Sequence, residues 1–170
     1  MLQAVIMGVT GCGKTSVGTA LGAELGVTYV DGDQLHSVES IAKMARGEAL
    51  TDADRWPWLD RVGAQLGEAA KPLIVGCSAL KRAYRDAIRE RARAPVLFIH
   101  LTGDRDMIAE RISLRDGHFM PVALVDSQFV SLEPPAPDES AITANIAHPQ
   151  DVIVGELVRT IEIMQREDQL

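Results

Sequence analysis

The sequence predicts an α/β fold, a parallel sheet of five strands with helices on both faces. Three observations predict it. Short apolar runs recur along the chain, each ended by polar or glycine-containing residues. Segments with helical periodicity lie between them. A glycine-rich stretch directly follows the first apolar run. Strands that alternate with helices read as βαβ units, whose strands run parallel and are covered on both faces.

Residues 2–7, LQAVIM, are a short continuous apolar run ended by Gly8, as in a fully buried strand. TSVGTALGAELG follows the glycine-rich stretch and reads as a helix closed by Gly26. VTYVD (27–31), PLIVGC (72–77) and VLFIHL (96–101) read as the next three strands, and AITANI (141–146) as a weaker fifth. Helical patterns fall at about 35–46, 55–70, 80–93, 104–115, 121–132 and 150–166. No internal repeat is visible. The proline-rich LEPPAPDES (132–140) is too short for a linker between domains and reads as a surface loop. The expectation is one domain over residues 1–170.

TDADRWPWL (51–59) holds a helix start with two readings. Thr51 and Asp54 have the spacing of a capping box. Pro57 would instead suit the first turn of a helix that begins at Asp54. Trp56 and Trp58 read as packing residues.

Composition narrows the function. Of 170 residues, 46% are apolar and 24% charged, as in ordinary globular proteins. Aromatics make up only 4%, which disfavours a stacking platform for single-stranded nucleic acid. The net charge is −7 with no run of Lys or Arg, so nucleic acid is not the expected partner. No apolar run approaches a membrane span, and no signal peptide is evident. Cys12 and Cys77 make neither a disulfide framework nor a zinc site. The expected location is the cytoplasm.

Gly8, Gly13, Lys14 and Thr15 match G-x-x-x-x-G-K-[ST], the P-loop. Glycines let the backbone curl until its N–H groups point at a phosphate, and the next helix adds the positive end of its dipole. In such a loop the lysine reaches the β- and γ-oxygens, and the threonine hydroxyl is a Mg²⁺ ligand. The loop alone indicates a bound nucleoside triphosphate. A Ras-like GTPase would need N-K-x-D, which is absent, and a motor or AAA-type ATPase would need a longer chain.

The second strand ends in VDGDQLH (30–36), at the strand edge where open parallel sheets bind ligands. Asp31 and Asp33 could divide two tasks, one holding the metal's hydration shell and one taking a proton from an attacking hydroxyl. The plainer reading is an Asp turn before the next helix. The third strand leads into VGCSALK (75–81), where Ser78 could bond a polyol. Lys81 and Arg85 lie one turn apart and could meet an anion, or form a solvated helix face. In ERISLRDGHFMP (110–121), Arg111 and Arg115 share a helix face, and the Gly and Pro around His-Phe suggest a mobile cap. Basic groups on such a cap can neutralise a transferring phosphoryl group.

These pieces resemble the gluconate kinases, in the nucleoside-monophosphate-kinase-like branch of P-loop proteins. The matching blocks are GVTGCGKT, DGDQLH, KMARGEALTDADRWPWL, CSALKRAYRD, GHFMP and SQFVSLEPP, in order over residues 5 to about 137. Shikimate kinases share the loop and the paired aspartates but not the other blocks. The resemblance implies transfer of the γ-phosphate of ATP, with Mg²⁺, to the 6-hydroxyl of D-gluconate. It implies a P-loop three-layer sandwich with strand order 2-3-1-4-5, a lid at about 111–125, and homodimers as a frequent assembly.

Carried over by position, Gly8, Thr10, Gly11, Cys12, Gly13, Lys14, Thr15, Ser16, Arg111 and Arg115 fall on the nucleotide side. Asp31, Asp33, His36, Lys43, Arg55, Ser78, Lys81, Arg85 and Gln128 fall on the substrate side. Thr15 and Asp31 are the expected metal ligands. Lys14, Asp33 and Arg115 are the expected catalytic groups, and Arg55 the expected carboxylate clamp. Strands one and three are neighbours in the implied order, which would bring Cys12 and Cys77 together at the crevice edge. There, alkylation of Cys12 would block activity. Ser37, Ser40, Ala49 and Asn145 depart from the family's usual Pro, Asn, Pro and Asp. Rival readings are a kinase for another small acid such as shikimate, and a nucleotide-binding regulatory module without catalysis.

Overall fold

A computed structural model describes residues 1–114 and 122–167. The elements in chain order are β1 (Gln3–Met7), α1 (Lys14–Leu25), β2 (Thr28–Asp31), a 3₁₀ turn (Gly32–Leu35), α2 (Val38–Ala45) and α3 (Asp52–Gly67). They continue with β3 (Leu73–Gly76), α4 (Arg82–Ala92), β4 (Leu97–Thr102), α5 (Arg105–Ser113), α6 (Val122–Ser131), β5 (Ala141–Asn145) and α7 (Gln150–Glu167). The five strands form one parallel sheet in the order β2-β3-β1-β4-β5. This is the expected fold, and each strand lies within a residue or two of its predicted position.

The central strand β1 explains the three layers. Successive side chains on a strand point to opposite faces. Ala4 and Ile6 enter a core with Val17 and Leu21 of α1, Ile108 of α5 and Leu157 of α7. Val5 and Met7 enter a second core with Leu59 and Val62 of α3 and Tyr84 and Ile88 of α4. All of β1 is buried, Gln3 included, and the apolar run AVIM that follows Gln3 predicts this.

Two boundaries differ from expectation in informative ways. The single helix predicted over 35–46 is a 3₁₀ turn and a separate helix, because His36 and Ser37 are extended. The Ser37 side chain then caps α2 by accepting from the Ser40 N–H at 3.1 Å. In α3 the capping box prevails: Thr51 accepts from the Asp54 N–H at 3.3 Å, and Asp54 accepts from the Thr51 N–H at 2.8 Å. Pro57 lies inside this helix and forgoes one backbone bond. Among the described residues, no helix is long and apolar enough to cross a membrane.

Candidate active site

The P-loop joins β1 to α1 at the C-terminal edge of the sheet. Gly8 has φ 141°, and a Cβ there would lie 2.6 Å from the Leu101 carbonyl oxygen, so only glycine fits. Gly13 caps α1 in a left-handed conformation, φ 94°. The Gly8 N–H donates to the Ser78 carbonyl at 3.2 Å, which ties the loop to the turn after β3. Lys14 curls over the loop, its Nζ donating to the carbonyls of Gly8 and Val9 at 3.1 Å each. The Thr10 N–H donates to Gln128 Oε1 at 2.7 Å, so α6 is fastened to the loop.

Asp31 makes two contacts that bear on the alternatives the sequence leaves open. Its Oδ1 accepts from the Asp33 N–H at 3.1 Å, the turn-forming contact. Its Oδ2 accepts from Thr15 Oγ1 at 3.3 Å, which brings the expected metal ligands together. Among the described residues, no three His, Cys, Asp or Glu gather as a self-sufficient metal centre. A hydroxyl and one carboxylate beside a phosphate loop fit Mg²⁺, which is held by few protein oxygens and completed by phosphates and water.

One cavity, about 180 Å³, collects the acceptor side. Lys14 and Asp33 line it, with His36, Arg55, Trp58, Ser78 and Gln128. Crowding by protein pushes the Asp33 pKa up, the Asp31 charge adds to this, and Lys14 opposes it. The side chain is nonetheless 73% exposed, so water tempers the shift.

His36 is stacked on Trp58, ring centroids 4.1 Å apart, and Trp58 Nε1 donates to the Gly32 carbonyl at 2.7 Å. Burial, then Arg61 and Arg55, lowers the His36 pKa to about 4, so its ring is neutral at pH 7. Trp58 thus packs, as expected, but also walls the cavity. Trp56 is 42% exposed and lies edge-on to Tyr84.

Arg55 reaches the cavity from the first turn and a half of α3. Its Nη1 lies 3.7 Å from Asp52 Oδ1, a loose contact that leaves donors for a ligand. Three other expected cations are engaged elsewhere. Lys43 bonds both oxygens of Asp54, at 2.9 and 2.8 Å. Lys81 bonds both oxygens of Asp52, at 3.1 and 3.0 Å. Arg85 is fully buried and forms a two-pronged pair with Glu139, 2.7 Å per prong. None of these three lines the cavity, and the substrate-side expectation for Arg85 is corrected. Its guanidinium has no face toward a ligand.

A second cavity, about 440 Å³, lies on the other side of the loop. While Thr10 and Lys14 line the acceptor cavity, Gly11, Cys12, Gly13, Ser16 and Arg111, all expected on the nucleotide side, line this one. His148 and Gln150 also line it, and nothing in their sequence surroundings marked them. Arg111 donates to the Ile146 carbonyl at 2.8 Å. Arg115 and GHFMP lie outside the described residues.

The cysteine expectation is also corrected. Cys12 belongs to the core layer of α1 and Cys77 to the layer of α3 and α4, both buried. Burial pushes the Cys77 thiol up to about 12. Of the family departures, Ser37 caps α2 and its hydroxyl donates to Ser40 Oγ at 3.2 Å, and Asn145 accepts from the Ala147 N–H at 2.9 Å. Only Ala49 lines the acceptor cavity.

A strand–P-loop–helix, an acidic pair beside it and a polar acceptor cavity define a P-loop small-molecule kinase. The shikimate kinase family model matches residues 10–148. A gluconokinase from Gluconobacter oxydans is 42% identical over 158 residues, covering 91% of this chain and 88% of its own. The thermosensitive gluconokinase of Escherichia coli is 44% identical over 141 residues, covering 81% and 75%. The crystal structure of a gluconokinase from Sinorhizobium meliloti superposes with a TM-score of 0.88 at 42% identity, covering 98% of this chain and 97% of the other. The chain belongs to the gluconokinase family, within the wider shikimate kinase group.

Proposed function

We propose that the protein transfers the γ-phosphoryl group of ATP to the 6-hydroxyl of D-gluconate, giving 6-phospho-D-gluconate and ADP. One observation carries the reading. A single cavity holds the P-loop lysine, a carboxylate with a raised pKa and an arginine with donors to spare. These are the groups that a sugar acid and a phosphoryl group require. The relatives named gluconokinase support the same substrate.

In this reading Arg55 grips the gluconate carboxylate, while Ser78 and Gln128 meet its hydroxyls. Asp33 takes the proton of the 6-hydroxyl as its oxygen bonds to the γ-phosphorus, and the bond to the ADP oxygen breaks. Lys14 swings from the loop carbonyls to the β- and γ-oxygens. Thr15 and Asp31 would hold Mg²⁺, which supplies charge neutralisation on the phosphates. Ser16 and the loop glycines cradle the phosphates, with Arg111 on the outer wall of the nucleotide cavity. Arg115 and the lid at 111–125 complete the proposal, as do a homodimer and a cytoplasmic location.

The test is ADP release measured across a panel of sugar acids and neutral polyols. Gluconate is expected to give the highest kcat/KM. Preference for shikimate or another aldonate would move the substrate while keeping the chemistry, and Ala49 is the residue on the cavity wall that favours checking. Nucleotide binding without acceptor-dependent ADP release would leave a regulatory module.

A further inference from the structure

Ser78 stands in the acceptor cavity on a turn whose shape is unusual. Ala79, the next residue, has φ 42°, a left-handed conformation that residues with a Cβ avoid. It is fully buried, so nothing in the solvent relieves it. Arg85 accounts for its persistence. The Arg85 Nη1 donates to the carbonyls of Ala79 at 3.2 Å, Leu80 at 3.3 Å and Glu133 at 3.0 Å. The other prongs of the guanidinium are locked on Glu139. Glu139 is held in turn by the Ala136 N–H at 3.0 Å and by Arg89 Nη2 at 2.9 Å. On the far side of the same turn, the Ser78 carbonyl accepts from the Gly8 N–H, the first residue of the P-loop.

We infer that the buried Arg85–Glu139 pair is a positioning device for the acceptor site. It holds the 77–81 turn in its left-handed form, presents Ser78 to the acceptor, and fixes that turn against the start of the P-loop. Arg85 and Glu139 touch no substrate. They act through the turn, and the inference rests on the acceptor reading of the cavity given above. A buried ion pair is weak evidence for stability in itself, but it can specify one local conformation over its alternatives.

Glu139→Gln keeps the side-chain shape and removes the charge that anchors Arg85. The expected result is a rise in acceptor KM of about five- to tenfold, the worth of one hydrogen bond to the acceptor. The KM for ATP stays unchanged, and the Gly8 amide exchanges faster with solvent by ¹⁵N NMR. Adding Ala79→Gly, which removes the backbone penalty at positive φ, restores most of the acceptor KM. If Glu139→Gln fails to fold, Arg85→Lys keeps the charge opposite Glu139 and loses the fork to the carbonyls. It is read the same way.

The kinetics use whichever sugar acid the natural chain phosphorylates best, and the exchange measurement needs no substrate. A wrong acceptor would therefore be seen with the natural chain, separately from a failure of this inference. Unchanged acceptor KM and unchanged Gly8 exchange in the folded variant would overturn it. So would equal rises in both KM values, or no rescue by Ala79→Gly, since each would make the pair a general brace.

Discussion

At the nucleotide end of the crevice, the core of the lining comes from one stretch, Gly11 to Val17, and only its outer wall, with Arg111, His148 and Gln150, comes from elsewhere. At the acceptor end the lining comes from the P-loop and from five other places: the turn after β2, α2 with its connection to α3, α3, the turn after β3, and α6. A phosphate can be cradled by contiguous backbone because its recognition needs N–H groups and a helix end. A polyol acid needs side chains of differing length and charge, which only tertiary packing brings together. The first end is therefore hard to alter without losing the chemistry. The second can change specificity one side chain at a time.

The sharpest way to break this comparison is at Lys14, where the two ends meet. Lys14→Ala should lower kcat/KM by about 10³–10⁵, as for other cations that stabilise the charge of a transferring phosphoryl group. Thermal stabilisation by ATP should shrink alongside. Steady-state kinetics and melting with nucleotide check both, and an unchanged kcat/KM would mean that the loop serves some other purpose.

Asp33→Asn should leave ATP binding in place and reduce kcat by about 10²–10⁴, the usual contribution of a positioned base. The pH dependence sharpens this. The Asp33 pKa is raised above its ordinary value of 3.8, and the base works only when ionised. Activity should therefore fall with acid at a higher pH than for an unperturbed aspartate. The acid limb should vanish in Asp33→Asn. A retained limb would assign it to another group.

The difference between the ends also explains what could be read in advance. β1, the P-loop and α1 are local patterns, and the strands and the Gly26 stop are where the apolar runs place them. Arg85 shows the limit. It lies four residues from Lys81 on what looked like one basic helix face. Yet its partner Glu139 sits 54 residues later, in the loop after α6. Spacing reports which residues share a face, not whether another segment covers that face. The cysteines fail for a related reason. Adjacent strands bring Cys12 and Cys77 near one edge, but the sheet itself separates their layers. Lys43 and Lys81 were visible as cations, but their capture by Asp54 and Asp52 depends on how α2 and α4 lean on α3.

With those three cations engaged, the proposed clamp on the acid's carboxylate falls to Arg55. Arg55→Lys should lower kcat/KM for gluconate by about one to two decades, because lysine cannot copy a two-pronged grip on a carboxylate. KM for gluconate should rise and KM for ATP should barely move. The carboxylate is remote from the reacting hydroxyl, so part of the loss should appear in kcat through poorer positioning. The competing role is a brace through Asp52, 3.7 Å away. A lower melting temperature with intact gluconate kinetics would favour the brace.

The smallest effect concerns stability and belongs to His36. Its ring is 3% exposed, and its pKa is lowered from 6.5 to about 4 by burial and by Arg61 and Arg55. Asp33 lies 3.9 Å from Nε2, and Trp58 covers the ring. A histidine with a depressed folded pKa binds its proton more readily when unfolded. Stability is thus lost as pH falls from about 6.5 toward 4. By pH 4.5 the loss should be about 2.5 kcal/mol, because the unfolded chain takes up the proton far more completely than the folded one. His100 is lowered in the same direction, and Asp33, with its raised pKa, works the opposite way, so a single curve mixes them. The difference between the natural chain and His36→Gln isolates the term. Urea unfolding between pH 7 and 4.5 should show the variant losing less stability than the natural chain. Parallel curves would mean that His36 takes up its proton in the folded state, with Asp33 the carboxylate to receive it.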